Sequence, residues 1–369
     1  MTRITAATLR TEGATRPYAD SLPLDLAELE LAAPRPGELL LRIDAAGLCH
    51  SDLSVINGDR PRPLPMALGH EATGIIEALG DPDDITFSVG DRVVLAFLPS
   101  CGECPRCVGG ERWLCEPGTV ANGKGEMLRG GTRLDDHGHG VKHHLGVSGF
   151  ATHAVVDRRS AVKIDRDVPS EVAALFGCAV LTGMGAVVND AKVRPGENVV
   201  IYGLGGVGLA ALLGAVAAGA EPITVVDPVP EKRALALELG ARFAFAPDDT
   251  ASLTGTADAV IETVGKAVVL AAAYKAGRRG SRIVTVGLPN PAEMFAIPAV
   301  SLVAEAKTLI GSYMGSSVPQ RDIPRFIALW KAGRLPVERL LSSVSPLSEI
   351  NGLLDKLADG SAIRQIVRP

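Results

Sequence analysis

The chain has 369 residues, 47% of them hydrophobic, enough for two domains that each bury a core. Its formal net charge of −5 and the absence of any Lys/Arg run exclude the electrostatic footprint of a nucleic-acid or anionic-membrane binder. The opening residues MTRITAATLRTEG hold no apolar stretch of the kind a secretory signal or anchor needs. In chain order, Glu38–Asp44 and Asp91–Phe97 read as strands of a barrel-like or antiparallel core, within 178 residues of mixed texture. A glycine-rich stretch from Glu116 to Gly149 shows no period. From Ala179 onward strands and helices alternate: strand Asn198–Tyr202, helix Val207–Ala218, strand Ile223–Val226, and helix Glu231–Leu239 ending at Gly240. Three short strands follow, Ala259–Glu262, Arg282–Val286 and Thr308–Ser312. That alternation predicts a parallel sheet covered on both faces. An amphipathic helix over Ile323–Lys331 and a tail complete the chain, with the tail returning to the first domain.

Gly203-Leu-Gly205-Gly206-Val207-Gly208 directly follows a β run and opens a helix. Gly203 permits the turn, Gly205 lets backbone approach a pyrophosphate, and Gly208 allows close helix–strand packing. The helix start offers free N–H groups to phosphates. Asp227, at the end of the next β run, suits an adenosine ribose and repels a 2′-phosphate, which points to NAD. Gly287, after the strand Arg282–Val286, is assigned to the same cofactor site.

The six cysteines are Cys49, Cys101, Cys104, Cys107, Cys115 and Cys178. Four within fifteen residues do not resemble a disulfide framework in a chain this size, so metal ligation and a reducing cytoplasm are expected. Cys101, Cys104, Cys107 and Cys115 can close a tetrahedral thiolate cage around zinc with no open position, a structural site. A nucleic-acid zinc ribbon is disfavoured because the flanks carry little positive charge. Cys49, His70 and Cys178 make a two-thiolate, one-imidazole set that leaves a fourth position open. On spacing alone, a buried lone cysteine or a core histidine stays an open alternative.

At these residues the chain resembles the zinc-containing medium-chain alcohol dehydrogenases, over nearly its whole length. The motifs are GLCHSD (47–52), GHEATG (69–74), CGECPRC (101–107), FGC (176–178) and GLGGVG (203–208). The resemblance implies an α/β architecture: a GroES-like, mostly-β catalytic domain over 1–178 and 314–369, and a Rossmann doubly wound domain over 179–313. It implies two Zn²⁺ per subunit, with Cys49, His70 and Cys178 holding the catalytic one, and NAD as the hydride carrier. Glu71 resembles a carboxylate able to approach the metal, Asp52 one that orients the ligand histidine, and Ser51 the hydroxyl that takes the alcohol proton. His50 and Arg364 match pyrophosphate contacts, Lys232 an adenosine-ribose contact, and Thr182 and Val207 the packing around nicotinamide. Phe97, Leu145 and Tyr313 resemble walls of an alcohol pocket, while Arg60 stands where relatives often carry an apolar or aromatic residue. Arg60 either greets a polar substituent or is a solvated loop residue.

Two departures sharpen the expectation. Many relatives have a histidine three residues after the relay hydroxyl, where this chain has Ser54. Glutathione-dependent formaldehyde dehydrogenases carry an arginine four residues after the fourth lobe cysteine, where this chain has Thr119. The expected activity is oxidation of a primary alcohol, aromatic or medium-chain, by NAD⁺, or the reverse. The alternatives are a formaldehyde-oxidising or dismutase relative with tightly held NAD, or a non-catalytic member of the fold. The long insertion between Glu116 and His144 resembles that of dimeric relatives, so a homodimer is expected.

Overall fold

The computed structural model describes all 369 residues, which divide into two compact units. The first comprises Met1–Cys178, Val318–Pro324 and Leu341–Pro369. It contains a closed barrel ordered Thr2–Leu9, Leu24–Leu31, Leu134–Asp136, His139–His143 and Met66–Ala67. Beside it lies a sheet ordered Ala161–Ile164, Arg92–Leu95, Ala72–Leu79, Glu38–Gly47, Arg364–Arg368 and Leu341–Pro346, with His153–Asp157 also pairing on Glu38–Gly47. The expected strands at Glu38 and Asp91 are therefore present, the first extended to Gly47. Alternation decides its orientation: Leu39, Leu41 and Ile43 point into one core with Val93, Leu95 and Phe150. The C-terminal strand does return here, since Ile366 and Val367 pair with Gly47 and Ala46. This places Arg364 beside the residues that follow the Glu38–Gly47 strand.

The second unit comprises Ala179–Ser317 and Arg325–Leu340. Its six strands are all parallel, ordered Phe243–Phe245, Ile223–Val226, Val199–Tyr202, Ala257–Glu262, Gly277–Thr285 and Thr308–Gly311. Numbered along the chain, that is 3-2-1-4-5-6, the doubly wound order whose ligand crevice lies at the carboxyl ends of the first and fourth strands. The helix Gly206–Ala218 is nearly all Ala, Leu and Gly because it is buried along most of its length.

The unit boundary differs from the expectation of one catalytic segment over 314–369. Residues 314–317 and 325–340 group with the second unit. The physical reason is apolar: Leu335, Val337 and Leu340 are fully buried, and the turn Val337–Leu340 packs on the helix Gly206–Ala218. The helix Pro319–Lys331 contains Pro324, where the chain passes from one unit to the other. The unperiodic stretch 116–149 also has regular structure, namely helix Glu116–Lys124 and the hairpin Leu134–Asp136/His139–His143 that completes the barrel.

Candidate metal centres and cofactor loop

Cys49 is the N-cap of the helix His50–Ile56, in extended conformation. Its sulfur accepts the N–H of Asp52, while Oδ2 of Asp52 accepts the N–H of Cys49 at 3.0 Å. This reciprocal capping fixes thiolate and carboxylate together. His70 follows Gly69, whose φ of +98° and contact with the Phe150 backbone leave no room for a Cβ. Cys178 follows Gly177, where a Cβ would stand 2.4 Å from the Leu95 carbonyl oxygen. The small residues of GHE and FGC thus press the two ligands against the sheet.

The result is a buried cluster. One donor atom from each of Cys49, His70, Glu71 and Cys178 lies within 4.8 Å of the others. Nδ1 of His70 faces Oδ1 of Asp52 at 3.1 Å, so with Nδ1 donating to the carboxylate Nε2 is the nitrogen left to meet a metal. That Nε2 is buried and has no hydrogen-bond partner, nor has Oε1 of Glu71. Orphaned buried atoms of this kind need a partner, and two thiols plus an imidazole lone pair are a zinc donor set. The residues fit the metal.

Charge in the cluster is sharply uneven. The Cys49 thiol is driven well below its usual range by a hydrogen bond from Cys178, with Arg364 and His70 adding to this against the cost of burial. Cys178 moves the opposite way, because a second buried thiolate beside the first is disfavoured. Burial pushes Glu71 up to about 7, opposed by Arg364. Burial would also raise Asp52, but the imidazoles His70 and His144 outweigh it and hold the carboxyl at about 2. Arg364 is itself buried, with Nη1 donating to the Leu48 carbonyl at 3.1 Å and to Oε2 of Glu71 at 3.3 Å.

Around this cluster Ser51 is half-buried, with its hydroxyl 3.9 Å from Sγ of Cys49. His50 is exposed at the start of the same helix. Oγ of Ser54 donates to the His50 carbonyl at 2.7 Å, so that hydroxyl is turned back onto its own helix. Phe97 stacks edge-on against His70 with ring centroids 5.8 Å apart, and Leu145 is buried with a left-handed φ of 52°. Arg60 sits in the loop after this helix, its N–H on the Ser54 carbonyl.

The four lobe cysteines form a second cluster, again with donor atoms within 4.8 Å of one another. Backbone N–H groups aim at the sulfurs: Cys101 and Gly118 donate to Cys115, and Glu103 and Cys104 donate to Cys101. The backbone N–H of Cys107 lowers the Cys104 thiol to about 7. Burial raises Cys107 to about 12, a cost that a cation among the four sulfurs removes. Thr119 is exposed, with its hydroxyl on the Cys115 carbonyl.

In the second unit, Gly203 has φ +90° and a Cβ on Gly208 would stand 1.8 Å from the Gly203 carbonyl oxygen. Nothing lies within 4 Å of a Cβ on Gly205, and the helix that begins at Gly206 has no side-chain cap. An open cradle at an uncapped helix start suits a pyrophosphate. Asp227 accepts the N–H of Leu204 at 2.6 Å and that of Val229 at 2.9 Å, which sets its carboxylate beside the loop. Lys232 is buried nearby, its pKa lowered by burial with Asp227 opposing. Arg233, which no motif in the sequence marks, donates Nη1 to the carbonyls of Asp227 and Pro228. Gly287 packs flat on the Val264–Gly265 backbone, where a Cβ would stand 2.0 Å from the Gly265 nitrogen. Thr182 is buried on the helix Ala179–Gly185, Val207 lies at the start of the cofactor helix, and Tyr313 is half-buried after the last strand.

Comparison with known proteins places both units. Residues 35–166 match the family model described as the alcohol dehydrogenase GroES-like domain, and residues 206–332 that described as zinc-binding dehydrogenase. The chain is similar to alcohol dehydrogenase B of Mycobacterium tuberculosis, 38% identical over 358 residues covering 94% of this chain and 95% of that one. It is similar to geraniol dehydrogenase of Castellaniella defragrans, 38% identical with 94% of each chain covered. Among solved structures, benzyl alcohol dehydrogenase of Acinetobacter calcoaceticus superposes with a TM-score of 0.92 at 31% identity, covering 100% of this chain and 99% of that one.

Proposed function

The chain belongs to the zinc-containing medium-chain alcohol dehydrogenases, and from that premise we propose that it oxidises primary aromatic or medium-chain alcohols to aldehydes. It is a zinc- and NAD-dependent hydride-transfer oxidoreductase. The observation that carries the catalytic assignment is the buried Cys49/His70/Cys178 set with the free Nε2 of His70. When bound, zinc supplies a Lewis acid that lowers the pKa of an alcohol, and NAD⁺ supplies the hydride acceptor.

The chain's own residues then have distinct tasks. Cys49, His70 and Cys178 hold the catalytic metal, and Cys101, Cys104, Cys107 and Cys115 hold the lobe in shape. Asp52 orients His70. Ser51 is the hydroxyl placed to take the alcohol proton, beside Cys49. Ser54 is not a further relay, because its hydroxyl is committed to the His50 carbonyl. Glu71 and Arg364 form a buried pair that balances charge beside the thiolates. Phe97 and Leu145 offer apolar walls, which supports an aromatic or long-chain substituent, as do the benzyl alcohol and geraniol named for two relatives. The gly-rich loop, Asp227 and Lys232 take the dinucleotide.

The homodimer is supported by one edge of the parallel sheet. Thr308–Gly311 has no neighbour on its outer side, and Met294, Val300 and Val303 of the preceding segment are strongly exposed. An edge strand beside an apolar patch suits an isologous pairing with a second copy, which light scattering on the purified protein tests. No helix is long and apolar enough to cross a membrane. Six cysteines outside any disulfide suit a reducing cytoplasm. The substrate reading is tested by NADH formation across alcohols of graded chain length, with aromatic and acidic members. Preference for short or acidic alcohols over benzylic ones contradicts it.

A further inference from the structure

The metal cluster carries a second imidazole that the reaction set out above does not use. His144 follows the strand His139–His143 and is 1% exposed. Its N–H bonds the Ala67 carbonyl and Oγ of Ser148, which itself donates to Ala67, so its backbone is fixed. Its ring meets the His70 ring edge-on, with centroids 5.2 Å apart and planes at 84°. Its Nδ1 lies 3.2 Å from Oδ1 of Asp52 without the alignment of a hydrogen bond, and has no other partner.

Oδ1 of Asp52 is therefore crowded. It accepts the N–H of Gly69 at 3.3 Å and faces Nδ1 of His70 at 3.1 Å, while Oδ2 is occupied by Cys49. A carboxylate oxygen has two lone-pair directions, and Gly69 with His70 uses both. Nδ1 of His144 stands within reach of the same atom but is left without a bond, so it can gain one only at the expense of Gly69 or His70. The His70–Asp52 contact, at 3.1 Å, lies toward the long end of the ordinary range of about 2.7–3.2 Å, so it leaves room for a competitor.

We propose that His144 is a positioning residue that competes with His70 for Oδ1 of Asp52 and so loosens the carboxylate's hold on the catalytic zinc ligand. The proposal rests on the reading of Cys49, His70 and Cys178 as the catalytic zinc set. A carboxylate bonded to Nδ1 makes imidazole a stronger donor to a metal. Sharing the carboxylate makes it a weaker donor, which leaves the metal more acidic and less firmly held.

The test compares the zinc-loaded wild type with His144→Phe and His144→Asn. Phenylalanine keeps a ring against His70 and removes Nδ1, whereas asparagine keeps a donor at about the same reach. Zinc release from each site to excess chelator is followed, with the four-cysteine site as the internal control. His144→Phe is expected to release the catalytic zinc about tenfold more slowly, the low end of what outer partners of a metal ligand are worth. His144→Asn should stay within about twofold of wild type, and release from the lobe should be unchanged in both. With cobalt in the catalytic site, the thiolate-to-cobalt absorption should shift in the Phe variant alone. Release from the Phe variant at or above the wild-type rate overturns the proposal. If the Phe ring disturbs packing and the lobe zinc is also lost, His144→Leu repeats the comparison, with slower release supporting competition and equal or faster release overturning it. A wild type that releases zinc from the lobe alone instead overturns the underlying catalytic-site reading.

Discussion

Gly47 ends the strand Glu38–Gly47 directly over Glu71, and the consequence of adding one methyl group can be worked from the contacts. An alanine Cβ there would stand 2.8 Å from Oε1 and 2.9 Å from Cδ of Glu71. Glu71 has no exposed surface to withdraw toward, and its other oxygen is held by Arg364 at 3.3 Å. The backbone at Gly47 is not left-handed, so alanine suffers from the contact and not from its φ. Overpacking of this kind costs about 1–3 kcal/mol. We expect Gly47→Ala to lower stability by that amount in the wild-type background, read as a shift of the urea midpoint at constant slope. In a Glu71→Ala background the clashing atoms are gone, and the same substitution should cost less than about 0.5 kcal/mol, giving a coupling in the range seen for touching residues. Equal costs in the two backgrounds would refute the argument that Glu71 is what requires glycine at position 47.

Three further outcomes are expected. Ser51→Ala should lower kcat for alcohol oxidation on the order of 10²-fold or more, as loss of a proton acceptor does, while Ser54→Ala stays within about threefold; a Ser54→Ala loss as severe as that of Ser51→Ala overturns the assignment. Asp227→Ser removes the charge that repels a 2′-phosphate while Arg233 stays close by, so the NADP⁺ to NAD⁺ ratio of kcat/KM should rise on the order of a hundredfold, about 2–3 kcal/mol. An unchanged ratio contradicts the selectivity argument. Burial and the nearby charge of Arg133 lower His143 from 6.5 to about 3, so it is neutral in the native state. The unfolded chain then binds the extra proton below pH 6.5, and stability present above that pH is lost as pH falls toward 3, by up to about 1.4 kcal/mol per unit. His143→Gln keeps an acceptor for the Arg133 N–H and should flatten that acid slope in urea titrations. A slope unchanged by the substitution contradicts it.

The parallel-sheet unit was the more legible half of the molecule. Its central strands Val199–Tyr202, Ile223–Val226 and Ala257–Glu262 bury both faces and so appear as short continuous apolar runs. Five of the six observed strands overlap their expected positions; the edge strand Phe243–Phe245, three residues long with Phe243 exposed, had no counterpart among the expected strands. Gly203, Gly205 and Gly208 announce their roles locally, because a turn and a close approach need nothing from distant sequence. The barrel was less legible for the opposite reason. Leu134–Asp136 and His139–His143 are three and five residues long and contain Asp, Gly and His, so neither period nor propensity marks them. The zinc ligands were readable through their spacing and motif context. What surrounds them was not. His144 meets Asp52 from 92 residues away by number, and Arg364 meets Glu71 across 293, and only the fold brings such pairs together. The pair His143–His144 beside the expected pocket wall Leu145 was the one available sign, and two adjacent histidines proved to have separate tasks, one bonding Arg133 and the other facing Asp52.

The central claim is that six cysteines and His70 make two zinc sites with different duties. It is tested most directly by metal content alongside NADH formation, in the wild type and in His70→Ala. Two zinc ions per chain are expected in the wild type, and one in His70→Ala with alcohol oxidation abolished and the fold retained. Two zinc ions retained in the variant, or substantial activity with one, would contradict it.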